Sequence, residues 1–282
     1  MPQTNILDGK SIAATQLKEI KNQVVSDNPP HLCVVLVGNN PASEVYVQKK
    51  QATAESIGFK SSKISLDDAT STETLLKTIQ QLNQDPSVHG ILVQLPLPKT
   101  INTALILEAI NPQKDVDGFH PYHQGRLAQG RPDIMPCTAL GIMSLLQAYQ
   151  HSVTGKIVTV IGTSTIVGMP TALALTHAKA TVSLCHSATP SLEHYTQSSD
   201  IVISATGQAK LIQKQHIKPG AIVIDVGIHR LANGKLCGDV DFDEVCRVAS
   251  WITPVPGGIG PMTIASLMHN TMQAYLQQKT HV

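Results

Sequence analysis

The stretch VTVIGTSTIVGMP, residues 158–170, decides the fold. A short run of apolar and β-branched residues enters Gly162, and the chain restarts at Gly168 with Pro170 close behind. Such a run bounded by glycine reads as a buried strand. A glycine at a helix start with proline in the first turn reads as the helix that follows. Glycine permits a tight turn and the approach of a phosphate, and a helix N-terminus offers free N–H groups to an anion. The spacing departs from G-x-G-x-x-G, because Ser164 stands where the second glycine would be. Taken alone, the segment fits a dinucleotide-binding turn and also a plain strand-turn-helix connection.

Outward from this stretch the pattern repeats. ATVSLCH (180–186), DIVISATG (200–207) and AIVIDVG (221–227) read as three further buried strands. Together with 156–162 they resemble half of a doubly wound dinucleotide-binding sheet. Upstream, HLCVVLVG (31–38), SSKISL (61–66) and VHGILVQLP (88–96) alternate with helical patterns at 43–57, 72–84 and 103–110. That alternation predicts a parallel sheet covered by helices. Helices are also expected near 138–150 and over 261–278. Residues 111–137 are broken by prolines and glycines and are expected as a long loop that carries function or joins domains. The expectation is an α/β chain of two domains, 1–120 and 121–260, with a cleft between them holding the site. The last segment, 261–282, is expected to pack back on the first domain.

Composition narrows the classes. The 282 residues, 42% hydrophobic, suffice for two cores. A net charge of +1 and no basic stripe argue against nucleic acid as a partner. No apolar run approaches the ~18 residues of a membrane span. The opening MPQTNILDGK has neither a basic nor an apolar signal region, so a cytoplasmic protein is expected. Five cysteines without C-x-x-C spacing read as reduced thiols. The histidines show no H-x-x-x-H pair, and no metal site is expected.

Chemistry gathers in PASEVYVQKK, residues 41–50. On a helix Tyr46 and Lys50 share a face. A phenol beside an amine positions a proton acceptor or stacks on a flat ligand, although the same spacing describes an ordinary surface pair. After the strand at 180–186, SLCHSATP presents His186 and Ser187 but no acid for the two ribose hydroxyls of NAD. A hydroxyl at Ser187 favours the 2′-phosphate of NADP. The strand ends SATG (204–207) and DVGIH (225–229) are small and suit contact with the rest of a dinucleotide.

PASEVYVQKK, GILVQLPLP, KDVDGFHPY, PCTALGIMSLL, VIGTSTIVGMP, IVIDVGIHR, GDVDF and ITPVPGGIGPMT together resemble the bifunctional methylenetetrahydrofolate dehydrogenase/cyclohydrolase family, in that family's order and over nearly the whole chain. The resemblance implies a cytoplasmic homodimer with a folate-binding catalytic domain and a Rossmann-like NAD(P)-binding domain. It implies NADP-dependent oxidation of methylenetetrahydrofolate to the methenyl form and hydrolysis of that to 10-formyltetrahydrofolate, feeding purine, methionine and histidine synthesis. It gives Tyr46 to the folate ring, Lys50 to the hydrolysis, Gln94 to holding that lysine and Asp117 to the pterin edge. Ser43 would help to position the pair, and Pro256, Gly257 and Gly258 would lie near folate and cofactor. Gly162, Thr163, Ser164, Ser187, Ile228 and Thr263 would meet the dinucleotide. One residue departs from the pattern: many relatives carry arginine where Thr163 stands, and threonine cannot pair a charge with the 2′-phosphate. NAD therefore stays beside NADP as a possible acceptor.

These residue types suit the chemistry. Hydride transfer needs chiefly the alignment of two flat rings. Hydrolysis needs a proton taken from water, which points to Lys50. A carboxylate at Asp117 matches the donor-rich amino-pyrimidine edge. A dehydrogenase without hydrolysis would have dispensed with Tyr46, Lys50 and Gln94, and a non-catalytic folate or dinucleotide binder would have lost the whole constellation. An unrelated hydroxy- or amino-acid dehydrogenase would show G-x-G-x-x-G and a histidine base. Asp115 is left unassigned, and Cys137 reads as a small buried side chain.

Overall fold

The computed structural model describes residues 4–25 and 27–279. Positions 1–3 of the opening segment and 280–282 of the last one lie outside the described residues. Along the first half run β1 (Asn5–Ile6), α1 (Gly9–Lys21), β2 (His31–Val37), α2 (Pro41–Ser56), β3 (Lys60–Leu66), α3 (Thr72–Gln84), β4 (Gly90–Val93), α4 (Thr103–Ala109), α5 (Pro121–Ala128) and α6 (Cys137–Ala148). There follow β5 (Ile157–Ile161), α7 (Gly168–His177), β6 (Thr181–Cys185), α8 (Leu192–Thr196), β7 (Ile201–Ser204) and β8 (Ile222–Asp225). The chain closes with β9 (His229–Arg230), β10 (Leu236–Cys237), α9 (Phe242–Val245), β11 (Trp251–Ile252) and α10 (Ile259–Lys279).

Two compact units result. One holds Thr15–Cys137 with the chain from Ser266 onward. Its sheet is parallel, in the order β3-β2-β4, with Val34 facing Lys63 on one side and Leu92 on the other. All seven residues of β2 are buried, which is why HLCVVLV reads as a continuous apolar run without alternation. Cys33, Val35 and Val37 meet Leu75 and Ile79 of α3 and Ile106 of α4 in one core cluster. Helix α2 begins where Asn40 Oδ1 accepts the N–H groups of Ala42 and Ser43, with Pro41 at the first helical turn. Gly58, at φ +88°, follows its end.

The segment 111–137, expected as a loop, contains α5. Its prolines were read as breakers, yet Pro121 starts the helix, with His120 Nδ1 accepting the Tyr122 N–H and Leu127 buried. The approach to α5 is pinned by Asp115, whose two oxygens accept the N–H groups of Gly118 (3.2 Å) and His120 (2.8 Å). From α10, Asn270 donates from Nδ2 to the carbonyls of Val116 and Met135, each at 2.9 Å.

The other unit joins the N-terminal residues to Ala14 with Thr138–Ala265. Its sheet runs β1-β11-β8-β7-β5-β6, with every pair parallel. The chain lays β6 on one side of β5 and then β7 and β8 on the other, so strand order reverses between β5 and β7. At that junction Gly162 has φ +112°, and a Cβ on it would lie 2.2 Å from the Ala205 carbonyl oxygen. A Cβ on Gly168 would lie 1.8 Å from the oxygen of Gly162. The space that these glycines leave is therefore taken by the protein's own backbone. They close the turn and seat the start of α7 against the end of β5; they do not hold open room for a phosphate.

The units divide the chain differently from a cut at 120/121. Asn5 and Ile6 of β1 pair with Trp251 and Ile252, so the first residues belong with the later strands, and residues 121–137 stay with the earlier ones. A two-residue strand has no periodicity to read.

Two stability tests follow from these contacts. Gly168→Ala should cost on the order of 3 kcal/mol, because backbone faces the new methyl; chemical denaturation reads this, and unchanged stability would refute the close approach. Burial, assisted by Asp117, pushes the Asp115 carboxyl up to about 7 against backbone donors, from an ordinary 3.8. The folded protein then holds an extra proton between roughly pH 4 and 7, and stability falls as pH rises through that window. Asp115→Asn should flatten that slope by up to about 1.4 kcal/mol per pH unit in melts from pH 4.5 to 7.5.

Candidate active site

Three residues from three elements of the Thr15–Cys137 unit share one neighbourhood. Lys50, on the last turns of α2, donates from Nζ to Gln94 Oε1 at 3.0 Å. Gln94 follows β4, and its own N–H bonds to the Val35 carbonyl at 2.9 Å, which carries the sheet pairing one step past the strand. Its Nε2 donates to the Leu95 carbonyl at 2.7 Å, so its oxygen is the end left to face the lysine. The next peptide bond, Leu95–Pro96, is cis. Asp117 is the third member. Burial raises its carboxyl above the ordinary carboxylate range, while Lys50 and the Cys137 thiol act in the opposite direction. The influence of Lys50 places the two in electrostatic reach.

Tyr46 lies one turn before Lys50 on α2, half-buried, and burial raises its phenol further. The phenol thus stays neutral and able to donate a hydrogen bond. Ser43, one turn earlier again, is buried. The helix brings Ser43, Tyr46 and Lys50 to neighbouring turns, and the strand end brings Gln94 to the lysine.

The support behind Asp117 is not evident in its motif. Gly118 has φ +75°, and a Cβ there would lie 2.8 Å from the Pro136 nitrogen. Cys137 donates from its N–H to the Asp117 carbonyl at 3.3 Å and from its thiol to the Val116 carbonyl at 3.3 Å. Burial, and then Asp117, hold that thiol well above its ordinary pKa, so Cys137 is a neutral buried group as its sequence suggested. Asp115 and Asn270 complete the support, and neither was assigned from sequence. No local signal marked Asn270, which is buried in α10 together with Ser266 and Thr271 as well as Met268 and Met272.

The residues assigned to a dinucleotide lie in the other unit. Gly162, Thr163 and Ser164 follow β5, Ser187 follows β6 and Ile228 follows β8. These are the carboxyl ends of parallel strands, where open α/β sheets receive ligands. Ser164 Oγ accepts the N–H groups of Val167 (3.2 Å) and Gly168 (3.4 Å), which shapes the turn. Ser187 is exposed, beside a turn closed by the Thr189 N–H on the His186 carbonyl. Ile228 is exposed, with its Cδ1 3.5 Å from where a Cβ on Gly260 would be. Gly257, at φ +115°, and Gly258 follow the cis bond between Val255 and Pro256; a Cβ on Gly258 would lie 2.7 Å from the Pro254 carbonyl oxygen. Thr263 is occupied locally, donating to the Ile259 carbonyl at 3.2 Å. Ser164 and Ser187 leave exposed hydroxyls at these strand ends. Among the described residues no group of three or more metal-ligating side chains is assembled, and no helix is long and apolar enough to cross a membrane.

Comparison with known proteins agrees with both halves. Residues 7–117 match the catalytic domain of tetrahydrofolate dehydrogenase/cyclohydrolase, and residues 136–279 match its NAD(P)-binding domain. A bifunctional protein FolD of Methanospirillum hungatei is 53% identical over 94% of this chain and 95% of its own. The solved structure of the bifunctional methylenetetrahydrofolate dehydrogenase/cyclohydrolase of Campylobacter jejuni is 46% identical, covers 99% of this chain and 100% of its own, and has a TM-score of 0.92. The Trypanosoma brucei enzyme, solved with NADP and an inhibitor, is 37% identical, covers 98% and 99%, and has a TM-score of 0.94. The chain therefore belongs to the tetrahydrofolate dehydrogenase/cyclohydrolase family.

Proposed function

We infer that the protein oxidises 5,10-methylenetetrahydrofolate to the 5,10-methenyl form with NADP and hydrolyses that product to 10-formyltetrahydrofolate. Family membership across both domains supports the pair of activities. The hydrolysis rests on one observation in particular, the 3.0 Å bond from Lys50 Nζ to Gln94 Oε1 with Asp117 in electrostatic reach.

The folate is assigned to the unit of Thr15–Cys137 and the dinucleotide to the unit of Thr138–Ala265. Asp117 accepts hydrogen bonds from the amino-pyrimidine edge of the pterin. Tyr46 offers its ring as a platform and its neutral phenol as a donor, with Ser43 setting the start of that helix face. Lys50 takes up the proton released when water adds to the one-carbon centre, and Gln94 aims it through a neutral acceptor. The bound dinucleotide supplies the hydride acceptor. Thr163 and Ser164 offer hydroxyls to its phosphates, Ser187 to the 2′-phosphate, and Ile228 an apolar surface to its ring. Gly162 fixes their turn, and the family resemblance assigns Thr263 to the cofactor and Pro256, Gly257 and Gly258 to the substrate. Because Thr163 brings no cation for the 2′-phosphate, NAD stands beside NADP as an alternative acceptor. A cytoplasmic homodimer is the working form that the family resemblance favours.

Lys50→Met should lower hydrolysis of methenyltetrahydrofolate by at least about 100-fold while hydride transfer stays measurable. Survival of both activities would make the Tyr46–Lys50 pair a surface feature and overturn the assignment. Ser187→Asp should raise the KM for NADP by roughly tenfold or more, with little change for NAD, since a carboxylate repels the 2′-phosphate. Equal changes for both dinucleotides would remove Ser187 from that contact.

A further inference from the structure

The loops that follow β7 and β8 are joined by one buried carboxylate. Asp239, 0% exposed, accepts on Oδ2 from the Thr206 N–H (2.6 Å) and the Ser204 hydroxyl (3.2 Å), both at the end of β7. Its Oδ1 lies 2.7 Å from Nε2 of His229, just beyond β8. A carboxylate only accepts, so Nε2 carries the hydrogen and donates. Asp225, the last residue of β8, closes the other side. Its Oδ1 accepts the N–H groups of Gly227 (2.9 Å) and Asp239 (3.0 Å), and its Oδ2 that of Val240 (2.9 Å).

The glycines of DVGIH and GDVD are cut to this arrangement. A Cβ on Gly227 would lie 2.2 Å from Asp239 Oδ1, and one on Gly238 would lie 1.8 Å from Asp225 Oδ2. Ile228 is thus held on both sides, by Asp225 through the Gly227 N–H and by Asp239 through the His229 ring, while its own side chain is 38% exposed. The strands need none of this, since β7 and β8 already pair from Ile201 with Ile222 to Ser204 with Asp225. What the network adds is the shape of two loops at the carboxyl ends of those strands.

We propose that Asp239 and His229 are positioning residues for the dinucleotide half of the reaction, locking Thr206 and Ile228 in the relative placement that receives the cofactor's reactive ring. This rests on the functional reading above. Neither residue need touch the cofactor; each acts through a backbone or neighbour that does.

The half-buried partner gives the safer test. His229→Leu removes the donor, and His229→Gln restores an N–H at similar reach. For wild type and both variants, NADPH binding, hydride transfer with its kcat and KM for NADP, and methenyltetrahydrofolate hydrolysis without dinucleotide are measured on the same preparations. His229→Leu should lose roughly 10- to 100-fold in hydride-transfer kcat/KM for NADP, with hydrolysis within about twofold of wild type and His229→Gln recovering most of the loss. A His229→Leu enzyme with wild-type hydride transfer overturns the proposal. So does an equal loss of both activities, which marks a merely structural role. A wild type that neither binds NADPH nor transfers hydride refutes the underlying functional reading instead, and the positioning role falls with it.

Discussion

At Gly168 there is no room for a single methyl group. The carbonyl oxygen of Gly162 stands 1.8 Å from where that methyl would be, and the Ala205 carbonyl stands 2.2 Å from the same place on Gly162. Three backbone segments, the ends of β5 and β7 and the start of α7, are thereby brought into contact at the point where strand order reverses. The turn at 162–168 inherits its shape from that contact. Ser164 can cap the turn only because the helix begins this close to the strand. The same device recurs at Gly227 and Gly238, where carboxylate oxygens take up the missing side-chain volume. Glycine in this fold is less a source of freedom than a way to let polar atoms and backbone approach at hydrogen-bonding distance.

Burial raises Asp115, Asp117 and Asp225, and each meets partners that oppose the rise: backbone donors for Asp115 and Asp225, Lys50 and a thiol for Asp117. Asp115 and Asp225 spend their oxygens on N–H groups of the chain, which makes them organisers of loops. For Asp117 the opposing groups are side chains, and no backbone donor is among them. A carboxylate kept in reserve in this way is available to a ligand, whereas one saturated by its own backbone is committed to the fold.

Much of this was legible in the sequence, for identifiable reasons. β2 and β5 announce themselves because strands covered on both faces become unbroken apolar runs. α3 spans the expected 72–84, where the structure shows Ser71 capping it and Leu75, Ile79 and Leu82 buried on one face. α5 was hidden because Pro121 looks like a breaker when its partners are unknown, and β1 because two residues carry no period. The Lys50–Gln94 bond links positions 44 residues apart, beyond any local rule, and only resemblance to a family pointed to it. Asp239 and Asn270 show the converse. Their roles depend on which distant loops arrive beside them, and nothing in their own neighbourhoods of sequence carries that information.

Asn270 holds together the chain on either side of Asp117. One side-chain amide grips two carbonyls, Val116 and Met135, and the Cys137 N–H meets the Asp117 carbonyl just beside it. The two ends of the α5 excursion are therefore buttoned together at the base. Closing the loop there makes the cost of its length grow only slowly with the number of residues between. Added length at its exposed tip, 129–131, therefore costs little, whereas Leu127 and Ile134, both 1% exposed, tie the inner side of the excursion down.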